Sequence, residues 1–164
     1  MLIKSYSKIN LTLKVNSKSK NRLHEIQSFY CWLSLFDTIK INVNKNNKDK
    51  ISFKGPFAKV IKKRNNSVHN LFKKLRELNL ISNYYSIIIT KKIPTFGGLG
   101  GGTSNAAFIL KYLFKNKITN SLLIKIKNII GSDFILFFKK QGFLKDLQSI
   151  IEVKNNQRFY FVLI

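Results

Sequence analysis

Pro94-Thr95-Phe96-Gly97-Gly98-Leu99-Gly100-Gly101-Gly102-Thr103-Ser104-Asn105-Ala106-Ala107 stands apart from the chain around it. Five of the eight glycines in 164 residues fall within positions 97–102. Glycine is costly in backbone entropy, so such a cluster needs a physical reason. Bare glycine lets backbone N–H groups converge on an anion with no side chain in the way. A helix starting just after it adds about half a unit of positive charge at its N-terminus. Thr103 and Ser104 add hydroxyls that can cap the helix or meet phosphate or a metal ion. The run is not a Walker A loop, because no Lys-Ser/Thr closes it, and it lacks the G-x-G-x-x-G spacing of a dinucleotide fingerprint. A plain flexible loop with a helix cap is the alternative. The tightness of the run just before a helix favours a phosphate cradle.

Outward from this loop the pattern alternates between two periods. Tyr84–Thr90, just upstream, is β-branched and aromatic and predicts a strand. Downstream, Thr103–Phe114 and Ser121–Ile130 read as apolar helices, Phe134–Phe138 as a short buried strand, and Phe159–Leu163 as a last one. Further upstream, Val68, Leu71, Phe72, Leu75 and Leu78 share one helical face, with Asn66 or Ser67 as N-cap. Asn42–Lys50 is Asn/Lys-rich and predicts a turn before a short strand at Ile51-Ser52-Phe53. Ile9, Leu11, Leu13 and Val15 alternate with Lys8, Asn10, Thr12 and Lys14, the mark of a half-buried opening strand. Residues 16–24 are polar and basic and read as a loop. Residues 26–34 read as a buried strand, and Ile39, Ile41 and Val43 alternate again. No repeat or interdomain linker interrupts the order, which is that of a single α+β domain over 1–164.

The net charge of +23 resembles a nucleic-acid footprint. It is discounted, because the 30 basic residues include only four arginines, Arg22, Arg64, Arg76 and Arg158. Lys, Ile, Asn and Phe together supply 80 of the 164 residues, the bias that an AT-rich genome imposes at any exposed position. The lysines are scattered and no RNA-binding aromatic signature accompanies them, so no specific nucleic-acid partner is expected. Only seven acids remain, which makes each one informative. Cys31 is alone, excluding an internal disulfide and a cysteine metal cluster. No apolar run approaches the ~20 residues of a membrane span, and the opening residues do not form a signal peptide, so no membrane partner and a reducing cytoplasm are expected.

The glycine run resembles the second motif of the galactokinase–homoserine kinase–mevalonate kinase–phosphomevalonate kinase (GHMP) superfamily. Gly100-Gly101-Gly102 followed by Thr103-Ser104-Asn105-Ala106-Ala107 is similar to the form found in the family of 4-diphosphocytidyl-2-C-methyl-D-erythritol kinases. Three further stretches agree in order. Ser7-Lys8-Ile9-Asn10-Leu11 resembles the family's opening Ala-Lys-Ile/Leu-Asn-Leu, His24-Glu25-Ile26-Gln27-Ser28 its His-x-Leu-Gln segment, and Gly131-Ser132-Asp133 its Gly-Ala/Ser-Asp. Departures occur at Leu23, where the family has an aromatic that stacks on the base; at Phe96, where it has Gly; and at Ile135, where it has Pro. Gly142–Asp146 does not match the family's small-residue segment.

The resemblance implies a GHMP-kinase N-terminal domain of the ribosomal protein S5 domain-2-like fold, without the family's C-terminal domain. It implies ATP and Mg2+ as cofactors and a cytidine diphosphate-linked methylerythritol as small-molecule substrate, phosphorylated at its 2-hydroxyl in the non-mevalonate isoprenoid pathway. Asp133 is then the catalytic base and Lys8 the cation beside it. Pro94, Thr95, Phe96, Gly97, Gly98, Leu99, Gly100, Gly101, Gly102, Thr103 and Ser104 hold the nucleotide. Asn10 and His24 contact the acceptor, His24 at the cytosine edge. No protein metal ligand is expected. Read without the resemblance, Lys8 and Asn10 form a solvated strand face, Asp133 is a carboxylate held by backbone N–H groups, and His24 is a loop histidine. Lys91 or Lys92 is a candidate for reaching phosphate. A non-catalytic kinase remnant and a basic RNA-associated protein are the alternative functions.

Overall fold

The structure, a computed structural model, describes residues 1–18, 24–62, 64–115, 117–146, 149–153 and 158–162, and of residues 16–18, 24 and 25 the backbone alone. Seven strands form one sheet: β1 (Leu2–Asn10), β2 (Lys14–Lys18), β3 (His24–Asn44), β4 (Lys50–Lys54), β5 (Tyr84–Thr90), β6 (Gln141–Leu144) and β7 (Ile150–Glu152). The 21-residue β3 is the spine. One edge takes β1 antiparallel, from Leu2 opposite Lys40 to Asn10 opposite Tyr30. The other takes β5 opposite residues 38–44 and β6 opposite residues 28–31. β4 lies parallel to β5 and β7 antiparallel to β6, and β2 pairs with β3 around Ile26. Three helices, α1 (Ser67–Glu77), α2 (Gly101–Leu113) and α3 (Asn120–Ile130), and a 3-10 helix (Ser132–Phe138) complete the fold.

The helices cover one sheet face. Ile39 and Ile41 of β3 and Ile87 and Ile89 of β5 are buried against Val68, Leu71, Phe72 and Leu75 of α1 and Ala106, Ala107, Ile109 and Leu110 of α2. The intervening Lys40 and Ile88 face outward, the alternation a half-covered sheet requires. Each fully buried Leu or Ile contributes about 1.5–3 kcal/mol. α1 forms where its apolar residues recur at helical spacing. Asn66 caps it by accepting from the amides of Val68 and His69, and Asn79, at φ 53°, ends it in the left-handed conformation.

β5 and α1 lie where the sequence placed them, and α3 starts one residue earlier, at Asn120. The opening alternation is divided between β1 and β2 by a break at residues 11–13. Residues 16–18 and 24, expected in a loop, belong to β2 and β3, and β3 runs to Asn44 into the expected turn. Phe134–Phe138 is not a strand but most of the 3-10 helix. Its four consecutive buried residues serve two clusters: Phe134 and Phe137 enter the main core, whereas Ile135 and Leu136 pack with Tyr30 and Leu144. A continuous apolar run thus reflects burial on two sides, which periodicity alone does not separate from a strand. Residues 159–162 form no strand, and Leu163 lies outside the described residues. β6 and β7 were not expected.

Among the described residues Asp37, Asp49, Glu77, Asp133 and Glu152 form ion pairs, and two of these are structural anchors on the sheet. Asp49 takes Arg76 in two-pronged fashion and accepts from the amide of Tyr85 at 2.8 Å, tying the start of β4 to α1 and β5. Asp37, fully buried on β3, pairs with Lys91.

Candidate active site

β1 is irregular where it reaches the site. Tyr6 lies opposite Phe36 but Lys8 opposite Trp32, so β3 carries extra residues between them. Bulges of this kind re-aim side chains beside functional sites. Here Ser5, Ser7 and Lys8 are all buried, which strict alternation would not allow. The amide of Lys8 donates to the carbonyl of Leu99 at 3.1 Å, tying β1 to the glycine loop. The ammonium of Lys8 donates to Oδ1 of Asn10 at 2.6 Å and lies 3.0 Å from Oδ2 of Asp133. Lys8, Asn10 and Asp133, 123 positions apart from Asn10 in the chain, therefore form one cluster. Lys8 is buried whereas the Asp133 side chain is 40 % exposed, so the carboxylate is the accessible end of the pair.

Asp133 is held by what flanks it. Gly131 ends α3 at φ 135°, a conformation that side chains resist, and the 3-10 helix starts at once with Asp133 in its first turn. The other end of that turn is anchored by the buried Phe137, whose ring lies against Gly100. A Cβ built on Gly100 would stand 2.8 Å from Phe137 Cζ and 3.4 Å from Lys8 Cγ. Gly100 is thus the point where the glycine loop, β1 and the 3-10 helix meet.

α2 begins at Gly101, two residues before the expected Thr103, and its N-cap is Gly100 at φ 69°. The first-turn amides of Gly101, Gly102 and Thr103 are donors that a helix start leaves unpaired. Thr103 lines the adjoining cavity. Ser104 departs from expectation: it neither caps the helix nor faces the cavity. Its buried hydroxyl donates to the carbonyl of Tyr6 at 2.5 Å and lies 2.7 Å from the Ser5 hydroxyl, so it anchors α2 to β1.

Phe96 lies in the left-handed region at φ 66° with its side chain 94 % exposed. This conformation is the physical reason a glycine suits the position. A non-glycine residue there costs about 1–2 kcal/mol, and so exposed a side chain returns little by burial. Phe96→Gly should therefore stabilise the fold by about 1 kcal/mol. A urea midpoint unchanged or lowered relative to wild type would contradict this.

The loop bounds a cavity of about 580 Å³ lined by Pro94, Thr95, Phe96, the glycines and Asp133. Phe53, Val60, Ile61 and Val68 add apolar lining, and Lys62, Asn65, Asn66 and Ser67 polar lining. The volume and the mixed lining suit a small organic molecule with both polar and apolar parts. Asn66 borders the cavity, but its amide is committed to the α1 cap, to the carbonyl of Lys62 and to His69. Of the two lysines that were candidates for reaching phosphate, Lys91 lines the cavity but is buried beneath the loop and pairs with Asp37, while Lys92 contributes its backbone amide to the same carboxylate. One lining residue escaped the sequence-based assignment of roles. Asn105 is buried with an Oδ1 that finds no hydrogen-bond partner among the described residues, an uncommon and costly state. The Thr-Ser-Asn-Ala-Ala run marked the segment without distinguishing Asn105 from its neighbours. The side chain of His24, and Leu23 altogether, lie outside the described residues.

Residues 63–138 match the family described as GHMP kinases N terminal domain. The chain is 38% identical to the 4-diphosphocytidyl-2-C-methyl-D-erythritol kinase of Pelagibacter ubique, covering 98% of this chain and 58% of that protein. It is 32% identical to the kinase of the same name from Ureaplasma parvum, covering 93% of this chain and 59% of that protein. The chain thus spans less than two thirds of the length of these curated relatives. Among solved structures, one titled as the crystal structure of 4-(cytidine 5'-diphospho)-2C-methyl-D-erythritol kinase superposes with a TM-score of 0.67 at 22% identity, covering 93% of this chain and 55% of that one. Mevalonate pyrophosphate decarboxylase from Streptococcus pyogenes superposes with a TM-score of 0.64 at 16% identity, over 95% of this chain and 51% of that one. At these identities the two structures speak for the fold.

Proposed function

Because the chain carries a GHMP-kinase N-terminal domain, with the α+β fold of those kinases, we propose that it serves phosphoryl transfer from ATP to the 2-hydroxyl of 4-diphosphocytidyl-2-C-methyl-D-erythritol. The observation that carries this reading is the Lys8–Asp133 pair, whose carboxylate lines the glycine-bordered cavity. The polyphosphate lies along the loop and the first-turn amides of α2, where N–H groups and the helix dipole favour negative charge. Phe53, Val60, Ile61 and Val68 supply the apolar lining on which the adenine ring would pack. Asp133 accepts the proton of the acceptor hydroxyl as that oxygen bonds to the γ-phosphorus and the bond to the β,γ-bridging oxygen breaks, releasing ADP. The Lys8 ammonium offsets charge on the transferring group, and Asn10 holds that ammonium and meets the acceptor. Positioning and charge neutralisation supply most of the acceleration in such transfers.

Among the described residues no three His, Cys, Asp or Glu side chains converge on a metal position. Magnesium is usually held by one or two oxygens of the protein together with substrate phosphates, and the Thr103 hydroxyl borders the cavity with such an oxygen. When bound, the ion supplies charge neutralisation on the phosphates. The single, buried Cys31 fits a reducing cytoplasm as the compartment.

ATP should slow amide hydrogen exchange across residues 94–104, because a filled cradle loses both mobility and free donors. Exchange measured by mass spectrometry that is unchanged at saturating ATP removes the nucleotide reading.

A further inference from the structure

The end of β5 is organised by an acid that the reaction does not use. β5 stops at Thr90, opposite Thr38, and the chain then leaves the sheet. Asp37, one residue before Thr38 on β3, replaces the lost ladder. Its Oδ1 accepts from the amides of Lys92 at 2.7 Å and Ile93 at 2.9 Å, and its Oδ2 accepts from the ammonium of Lys91. Asp37 is fully buried and Lys91 is 1% exposed. Three donors on one carboxylate thus set the path into Pro94 and the glycines.

The ammonium itself is placed against a simple rule. A Cβ built on Gly101 would stand 3.2 Å from Lys91 Nζ, so the charge lies directly beneath the first residue of α2. Cations belong at helix C-termini; at an N-terminus they oppose the dipole. Burial pulls the Lys91 ammonium toward its neutral form, and the Asp37 carboxylate opposes that pull. A buried cation held at the positive end of a helix, next to unpaired amides, is a poor arrangement for stability alone. An anion arriving at those amides relieves it. Gly101 is what lets the ammonium come so close.

We propose that Asp37 and Lys91 are positioning residues of the glycine-loop site: Asp37 fixes Lys91 beneath Gly101, and the resulting field makes the site select a polyphosphate over an uncharged nucleoside. This rests on the nucleotide reading given above. Lys91 acts from beneath the backbone, through α2 and its amides.

The test compares binding of ATP and of adenosine by calorimetry to the wild-type chain and to the double variant Asp37→Asn/Lys91→Met. Asparagine keeps an Oδ1 acceptor for the amides of Lys92 and Ile93, and neutralising both members of a buried ion pair leaves no unpaired charge, so the double variant separates charge from the path of the loop. Expected is a loss of about tenfold or more in ATP affinity, with adenosine affinity unchanged and thermal unfolding still cooperative. A folded double variant that binds ATP as wild type does, or that loses ATP and adenosine equally, overturns the proposal while leaving the nucleotide reading standing. Wild-type protein that binds neither ligand overturns both. If the double variant does not fold, Lys91→Gln, which retains a donor to Asp37 without the charge, is measured instead and read by the same outcomes.

Discussion

Asp133→Asn lowers turnover by ~10²–10⁴-fold, the usual loss when a general base is removed, and leaves ATP affinity little changed. Asparagine keeps the shape of the side chain and a carbonyl oxygen for the Lys8 ammonium, which now stands 3.0 Å from Oδ2. What it lacks is the capacity to take the acceptor's proton. Lys8→Ala removes a charge that matters most as the phosphoryl group moves, so it also acts on kcat more than on KM. The two groups touch, and their effects should not add: the double variant is scarcely worse than the worse single one. The assay uses the chain itself or the chain complemented with the remaining region of a longer relative. If Asp133 only ended α3 and opened the 3-10 helix, asparagine would replace it well, because it too accepts backbone hydrogen bonds at such positions. Near-wild-type turnover in a stably folded Asp133→Asn protein would rule out its role as base.

Gly100→Ala costs about 2–4 kcal/mol of folding stability, the sum of a left-handed backbone penalty and an overpacked contact. The residue sits at φ 69°, and the added methyl would meet the Phe137 ring at 2.8 Å. Phe137 is fully buried, so its ring has no free direction in which to retreat. Gly98 supplies the control. Its φ of 70° is the same, but a Cβ there meets nothing within 4 Å. Gly98→Ala should therefore show the backbone penalty alone, about 1 kcal/mol. Urea denaturation of the two variants separates the terms, and equal losses would mean that the contact with Phe137 contributes nothing. Because Lys8 Cγ lies 3.4 Å from the same methyl position, Gly100→Ala should also lower turnover among molecules that remain folded. Gly98→Ala should not displace Lys8.

Local pattern was enough for the elements whose chemistry is local. α1 announces itself through five apolar residues at helical spacing and a cap candidate at Asn66 or Ser67, β5 through a β-branched and aromatic run, and the phosphate cradle through glycine density. The glycines were therefore legible from the residues alone, whereas Lys8 and Asp133 took their roles, and their place side by side, from the resemblance to the kinase family. Residue spacing by itself does not encode that assembly. The ammonium of Lys8 meets Asp133 only because extra residues in β3 opposite Ser7 break the alternation of β1 and because residues 132–138 coil into a 3-10 helix rather than extend. An apolar run buried between two clusters has no period to read, so the strand expected there was a reasonable reading of the residues and the wrong structure. Ser104 illustrates the same limit: a hydroxyl at a helix start suits a cap or a ligand equally, and only the proximity of β1 commits it to Tyr6 and Ser5. Asp37 and Lys91 lie 54 positions apart and carry no motif. Their pairing follows from the register of β3 against β5, a long-range property that short-range spacing does not encode, and it is this register that brings a charge beneath the helix start.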